Sequence, residues 1–190
     1  MNPLRPASLL CAALALALLS ACAAPASPAP VLPATPIETA DPGPCGYTWG
    51  SQPLPELSAQ VLEKLQAAGL PASSALAEAY GEDCRYADGT LGPFAVMETD
   101  YRLTLTVSTL EDPTLLGSLL EQSLAILAQF PVESTPGPQP GYIGITFKNG
   151  EQVQNLWFER RKSDDLLAQG LRGAELYQAL TPESTHPKSP

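Results

Sequence analysis

The sequence predicts an α+β fold, a two-layer sandwich in which an antiparallel sheet of about four strands carries helices on one face. Three observations point there. Tyr101, Leu103, Leu105 and Val107 alternate with Arg102, Thr104 and Thr106, the period of two of a strand with one buried and one wet face. Asp112 and Pro113 supply an N-cap and a first helical position for Leu115, Leu116, Leu119, Leu120, Leu124, Ile126, Leu127 and Phe130, until Pro131 ends the run. Asn149-Gly150 stand between two strand-like runs, Tyr142 to Phe147 and Gln152 to Phe158, which marks a hairpin.

The elements follow in order. Gly46-Tyr47-Thr48-Trp49 can add an edge strand. Pro55-Glu56 open a helix whose Leu57, Val61, Leu65 and Ala68 fall on one face, and Gly69 and Pro71 stop it. Ser74 to Arg85 has a helix-forming Ala-Leu-Ala-Glu-Ala core. Yet Ala75, Ala77, Ala79 and Gly81 alternate with Leu76, Glu78, Tyr80 and Glu82. It reads as a strand, because the order then becomes helix-strand-strand twice over, which a structural duplication explains. A turn at Ala87-Asp88-Gly89 leads to the strand that begins near Val96, and Glu98 and Asp100 extend its polar side. The helix after Asp112 is apolar over a wide arc and belongs in the core. The faces of the Asn149-Gly150 hairpin stay open, since two-residue and three-residue loops give opposite registers. Ser163-Asp164-Asp165 begin a third helix with Leu167, Leu171, Ala174 and Leu180 as its apolar stripe, weakened at Gly170 and Gly173 by about 1 kcal/mol each.

Ahead of these elements, Arg5 precedes an apolar run from Leu9 to Leu19, followed by the small residues Ser20 and Ala21 and then Cys22. About eleven apolar residues fit the core of a signal peptide and fall short of the roughly 20 that cross a bilayer. Leu19-Ser20-Ala21-Cys22 resembles the lipobox of bacterial lipoproteins. The resemblance implies a signal peptide over residues 1–21, with Cys22 lipidated, acylated with palmitate-like chains and exposed as the new N-terminus. The alternative is an ordinary secretory signal cut near Ala21 or Ala24. Each buried methylene contributes about 0.8 kcal/mol, so two or three chains make a lasting membrane anchor. Ala23, in place of an Asp, implies no retention at an inner membrane. The expected address is the extracytoplasmic face of the cell membrane or the outer membrane.

Residues 22–44 interleave Pro25, Pro28, Pro30, Pro33, Pro36, Pro42 and Pro44 with Ala, Ser and Thr, a composition that propagates neither helix nor sheet. At about 3.1 Å per residue this spacer reaches at most roughly 70 Å. Residues 45–180 have the length of one domain, and residues 181–190 read as a disordered tail. The net charge is −10. It becomes −11 once Arg5 leaves with the leader, 9 Lys+Arg against 20 Asp+Glu. Such a chain is repelled by nucleic acid and by anionic lipid. With Cys11 removed and Cys22 lipidated, Cys45 and Cys84 remain. In an oxidising compartment they are expected to form a disulfide, with free thiols or a metal pair as alternatives.

The one histidine, His186, lies in the tail. Ser-His-Asp and Cys-His chemistry needs a positioned imidazole, and zinc needs a Cys/His cluster. No nucleotide or calcium fingerprint is present either, so no cofactor and no metal are expected. The best catalytic candidates are Glu98 and Asp100, two apart on one strand face, with Glu78 and Glu82 nearby. Paired carboxylates can hydrolyse glycosides, whereas a charged, solvated sheet face explains them more simply. Glu159-Arg160-Arg161-Lys162 is the one concentrated positive run, either a site for an anionic partner or the wet end of a strand. Trp49 and Trp157 can stack on sugars or pack in the core. Pro136 to Tyr142 either presents a rigid loop or spans from helix end to sheet edge. Tyr47-Thr48-Trp49 after Cys45, Met97 to Asp100 and Pro136 to Tyr142 are also similar to stretches of uncharacterised lipoproteins of Chloroflexi, a resemblance that implies no activity.

The resulting expectation is a membrane-anchored, non-enzymatic binding domain whose partner is a protein or glycan of the envelope. The surface singled out is Glu98, Asp100, Arg102, Thr104 and Thr106. The rivals are a carboxylate-dependent hydrolase of cell-wall or imported polymer and a subunit of an envelope complex.

Overall fold

A computed structural model describes residues 43–181. The leader, Cys22, all but the end of the spacer and the tail beyond Thr181 lie outside the described residues. In chain order the elements are β1 (Gly46–Pro53), α1 (Pro55–Ala67), β2 (Ala72–Arg85), β3 (Leu91–Thr106), α2 (Pro113–Leu127), β4 (Gln139–Asn149), β5 (Gln152–Glu159), α3 (Arg160–Ala168) and α4 (Gly173–Leu180). A short 3-10 turn, Val132–Ser134, lies between α2 and β4.

The α+β class holds, but the sheet differs from expectation. It has five strands in the order β1-β2-β3-β4-β5. β3 and β4 run parallel and every other neighbouring pair is antiparallel, so the sheet is mixed. The cause is α2. A helix crossing over the sheet returns the chain to the end where β3 began, and the next strand then runs the same way. The fifth strand is β1, which reaches as far as Pro53 opposite Glu78. Beyond it the edge of β2 is closed by the start of α1, where the Leu54 N–H donates to the Ala77 carbonyl at 2.8 Å and the Ala77 N–H to Ser58 Oγ at 2.8 Å. The helix-strand-strand order does recur as α1-β2-β3 and α2-β4-β5. The two units run in opposite directions, however, and superposing them would carry the helices to the other face.

The buried side chains lie between the helices and one sheet face. Val61 and Leu65 of α1, Leu116, Leu120 and Leu127 of α2 and Leu176 of α4 meet Ala77, Tyr101, Leu103, Leu105, Ile143, Ile145, Phe147 and Leu156. Asp112 caps α2, its carboxylate accepting from Thr114 N at 2.9 Å and Leu115 N at 3.2 Å. Gly117 of α2 lies against the backbone of Gly173, where a Cβ would overlap the Gly173 carbonyl. The close contact between α2 and α4 needs that glycine.

The hairpin register is now fixed. Asn149 pairs with Gln152 across a two-residue loop in which Gly150 has φ 59°. This turns Ile143, Ile145, Phe147, Leu156 and Phe158 toward the helices and Tyr142, Gly144, Thr146, Asn155 and Trp157 away from them. The last helical segment is two helices rather than one. α3 starts at Arg160, three residues before the expected cap, and the chain breaks where Gly170 (φ 91°) and Gly173 (φ 49°) adopt left-handed conformations. The basic run is divided: Arg161 and Lys162 are exposed, whereas Arg160 is not. Arg160 is buried; its Nη2 donates to the Leu127 carbonyl at 3.0 Å at the end of α2, and its guanidinium lies 5.9 Å from the Tyr101 ring centre. There it is a second donor to a carbonyl that also accepts from the Phe130 N–H at 3.0 Å, and it complements the α2 dipole.

Cys45 and Cys84 are joined, with Cα atoms 5.4 Å apart and a sequence separation of 39. The bond ties the entry of β1 to the end of β2. Closing such a loop stabilises by about 4 kcal/mol in the chain-entropy model. The Cys45→Ala/Cys84→Ala double variant is expected to lose roughly 2–4 kcal/mol of unfolding free energy in urea. Equal midpoints for the variant and the oxidised protein would show that the bridge contributes nothing. Arg160→Ala should cost about 1.5–3 kcal/mol by removing a buried charge-assisted hydrogen bond to the Leu127 carbonyl, read from the same titration.

Candidate functional site

The sheet face turned away from the helices carries a groove at its centre. Strand register assembles it: Glu78 of β2 stands opposite Asp100 of β3, and Tyr80 opposite Glu98. Across the parallel junction Arg102 pairs with Gly144 of β4, which pairs in turn with Trp157 of β5. Between Tyr80 and Gly81 the β2–β3 register shifts, because β3 holds Met97 as an extra residue between the partners of those two. Such a bulge re-aims side chains, and here both Met97 and Glu98 line the groove. The cavity is about 560 Å³, with Trp49 and Ser51 of β1 at one end and Tyr142 and Trp157 at the other.

Two aromatic pairs frame it. Trp49 and Tyr80 are stacked, ring centres 5.5 Å apart and planes 1° from parallel. Tyr142 and Trp157 are stacked at 5.6 Å and 4°. The Trp157 indole lies over Gly144, where a Cβ would stand 2.7 Å from its ring. The Arg102 guanidinium lies 4.8 Å from the Trp157 ring centre, and its Nε is 3.2 Å from Glu78 Oε2. Trp49 remains 61% exposed and Trp157 46%, so both rings are open to a ligand.

The carboxylates differ in their commitments. Asp100 is buried, and its Oδ1 accepts from the Tyr142 N–H at 2.7 Å. Gly141 makes this possible, since a Cβ there would stand 2.5 Å from that same oxygen. Burial raises the Asp100 pKa against the lowering effects of the Tyr142 N–H and Arg102. Glu78 is held by Arg102. Glu98 makes no ion pair among the described residues, although Arg161 lines a smaller pocket with it and Glu159; burial, then Asp100, then Glu159 raise its pKa.

Of the surface expected from sequence, Glu98, Asp100 and Arg102 come together in the groove, although Asp100 is not the exposed charge anticipated. Thr104 and Thr106 continue along the same face, opposite Thr146 and Lys148 of β4, outside the groove. Glu82 pairs with Trp49 and Ala95 and does not line it either. The Pro136 to Tyr142 connection spans from helix to sheet. Thr99 Oγ1 donates to the Pro136 carbonyl at 2.7 Å, and Gly137 lies against the backbone of Met97 and Glu98. Tyr80 and Tyr142 were missed as site residues. The alternation Glu78-Tyr80-Glu82 already placed Tyr80 on the wet face, and fixing the Asn149-Gly150 loop at two residues would have placed Tyr142.

Among the described residues no cluster of three or more His, Cys, Asp or Glu side chains is placed to hold a metal ion. No described helix is long and apolar enough to cross a membrane. Comparison with known proteins finds no matching family model, no matching curated protein and no matching solved structure.

The raised pKa of Glu98 has a thermodynamic consequence. The folded state binds this proton more tightly than the unfolded state, so the contribution of Glu98 to stability is greatest below its ordinary 4.5 and is lost as pH rises through the displaced value. Glu98→Gln is therefore expected to be more stable than wild type at pH ~7, with the gap closing toward pH ~4. Urea midpoints at the two pH values test this, and a gap that does not change with pH would show Glu98 to be fully solvated.

Proposed function

We propose that the chain is a lipid-anchored, extracytoplasmic lipoprotein whose folded domain binds a ligand in the groove of its open sheet face without transforming it. The observation that supports binding most directly is the pair of parallel aromatic stacks framing a polar floor. Flat, half-exposed rings at both ends of a small cavity suit recognition of an organic ligand, and about 560 Å³ lies within the usual range for such sites. The carboxylates support binding over hydrolysis. Two-carboxylate catalysis needs one acid and one base or nucleophile, both free to reach the substrate. In the groove Glu78 is engaged by Arg102 and Asp100 by the Tyr142 N–H, which leaves Glu98. The anchor rests on the lipobox-like Leu19-Ser20-Ala21-Cys22, with residues 23–44 lifting the domain from the bilayer.

Both tryptophans of the chain, Trp49 and Trp157, line this groove. Intrinsic fluorescence therefore reports on it without background from other indoles. Titration with panels of neutral oligosaccharides, small amines and short peptides should give saturable quenching by one class. Mass spectrometry should recover the ligand unchanged, and Trp49→Ala should remove most of the response while keeping a native circular dichroism spectrum. Cleaved products would instead establish a hydrolase, and silence across all panels would remove the groove as a binding site. The anchor is tested separately. Radiolabelled palmitate should enter the wild type in a bacterial host and not Cys22→Ala, and equal labelling of the two would sink the lipidation reading.

A further inference from the structure

We infer that the ligand of this groove is a small organic cation, an alkylammonium or guanidinium compound whose charged head sits against Glu98 between the two aromatic walls. The inference deepens the binding reading above and rests on it.

Charge complementarity carries it. The groove brings Glu78, Glu98 and Asp100 together with a single cation, Arg102, and that cation is committed to Glu78 at 3.2 Å. Among the described residues the ion pairs are Arg102 with Glu78 and Arg172 with Glu121, so neither Glu98 nor Asp100 is in an ion pair, although the charge of Arg102 acts on Asp100. Asp100 has the Tyr142 N–H as compensation. The charges that act on Glu98 are those of Asp100 and Glu159, and together with burial they make its ionised form unfavourable, while Arg161, which shares a smaller pocket with it, forms no ion pair with it. A bound cation removes that cost. A neutral sugar leaves it in place, and an anion adds to it.

The walls are suited to the same chemistry. The faces of aromatic rings carry negative potential and attract cations within about 6 Å of the ring centre. The mode already operates within the groove, where the Arg102 guanidinium lies 4.8 Å from the Trp157 ring centre. The opposite wall, Trp49 on Tyr80, has no described cation over it, and its indole is the more exposed. A ligand cation can therefore sit between Glu98 and the Trp49–Tyr80 stack without displacing Arg102. The size of the cavity favours a free small molecule over a folded partner. The net charge of −10 favours the approach of cations to the whole chain.

The test uses tryptophan fluorescence and calorimetry on the lipid-free secreted chain, with choline, spermidine and free arginine as cationic probes. A neutral chito-oligosaccharide, glutamate and a lysine-rich peptide serve as counter-probes. At least one cation should bind saturably, more weakly in high salt and more weakly as pH falls through the Glu98 titration. Glu98→Gln should weaken it about tenfold or more, and Glu98→Asp, which keeps the charge, should restore part of the loss. Circular dichroism establishes that each variant is folded. If the oligosaccharide binds and the amines do not, the groove is a binding site but the cation inference falls. Binding of the lysine-rich peptide alone assigns the site to a polypeptide partner and equally overturns it. Cation binding indifferent to Glu98→Gln overturns it as well. If no probe of any class binds, the binding reading and the inference fall together.

Discussion

Asp100 accepts a hydrogen bond of 2.7 Å from the Tyr142 N–H at the point where β4 joins β3. The β3–β4 register is irregular here, shifting between Thr99 and Tyr101. Opposite residues in a sheet share a face, so a slip of one position in β4 would send Tyr142 toward the helices and bring Ile143 into the groove. β5 is paired to β4, so Trp157 and its partner Gly144 would turn toward the helices together with the same slip. One whole aromatic wall thus depends on a buried carboxylate holding a backbone N–H. Burial of a charge is unfavourable unless it is compensated, and burial is the largest influence on the Asp100 pKa. Gly141 completes the arrangement, because Asp100 and the Thr99 carbonyl occupy the space a side chain would need.

The helical layer explains why the opposite face is free. α1, α2 and α4 bury their apolar stripes on one side of the sheet, and the small residues Ala75, Ala77 and Ala79 of β2 let α1 approach closely. The strands are therefore buried on one face only, and their alternation leaves charged and aromatic side chains on the other. Arg160 extends this logic to the chain's basic run. Its guanidinium reaches the end of α2 from inside the core, while Arg161 and Lys162 stay exposed.

The elements governed by local periodicity were legible. The helices at Pro55–Ala67 and Pro113–Leu127 followed from apolar spacing and caps, and the wet face of β3 from strict alternation of Tyr101 to Val107 with polar neighbours. The cysteine pair followed from subtraction. What was not legible depends on long-range geometry. The parallel junction between β3 and β4 follows from where α2 crosses, which no local pattern records. The break between α3 and α4 was foreshadowed by Gly170 and Gly173 but required the contact of Gly173 with Gly117 to become necessary. The candidate site was half visible. Glu98, Asp100 and Arg102 were on the page as one strand's polar face, whereas Tyr142 and Trp157 enter only once β4 is set beside β3.

The position of Arg102 makes the two walls of the groove unequal. Its guanidinium lies against Trp157 while its Nε reaches Glu78, so one side chain bridges the tryptophan end of the groove to the carboxylate floor. Guanidinium groups stack on indole and pair with carboxylates at once because they are planar and weakly hydrated. That bridge stiffens the Tyr142–Trp157 end and partly neutralises it. The Trp49–Tyr80 end has no such counterweight, and it lies on β1, an edge strand bound to the sheet by β2 and by the Cys45 to Cys84 bond. The groove is thus built with a braced wall and an open one, and Glu98, on the bulge of β3 between them, is the carboxylate left to choose the ligand.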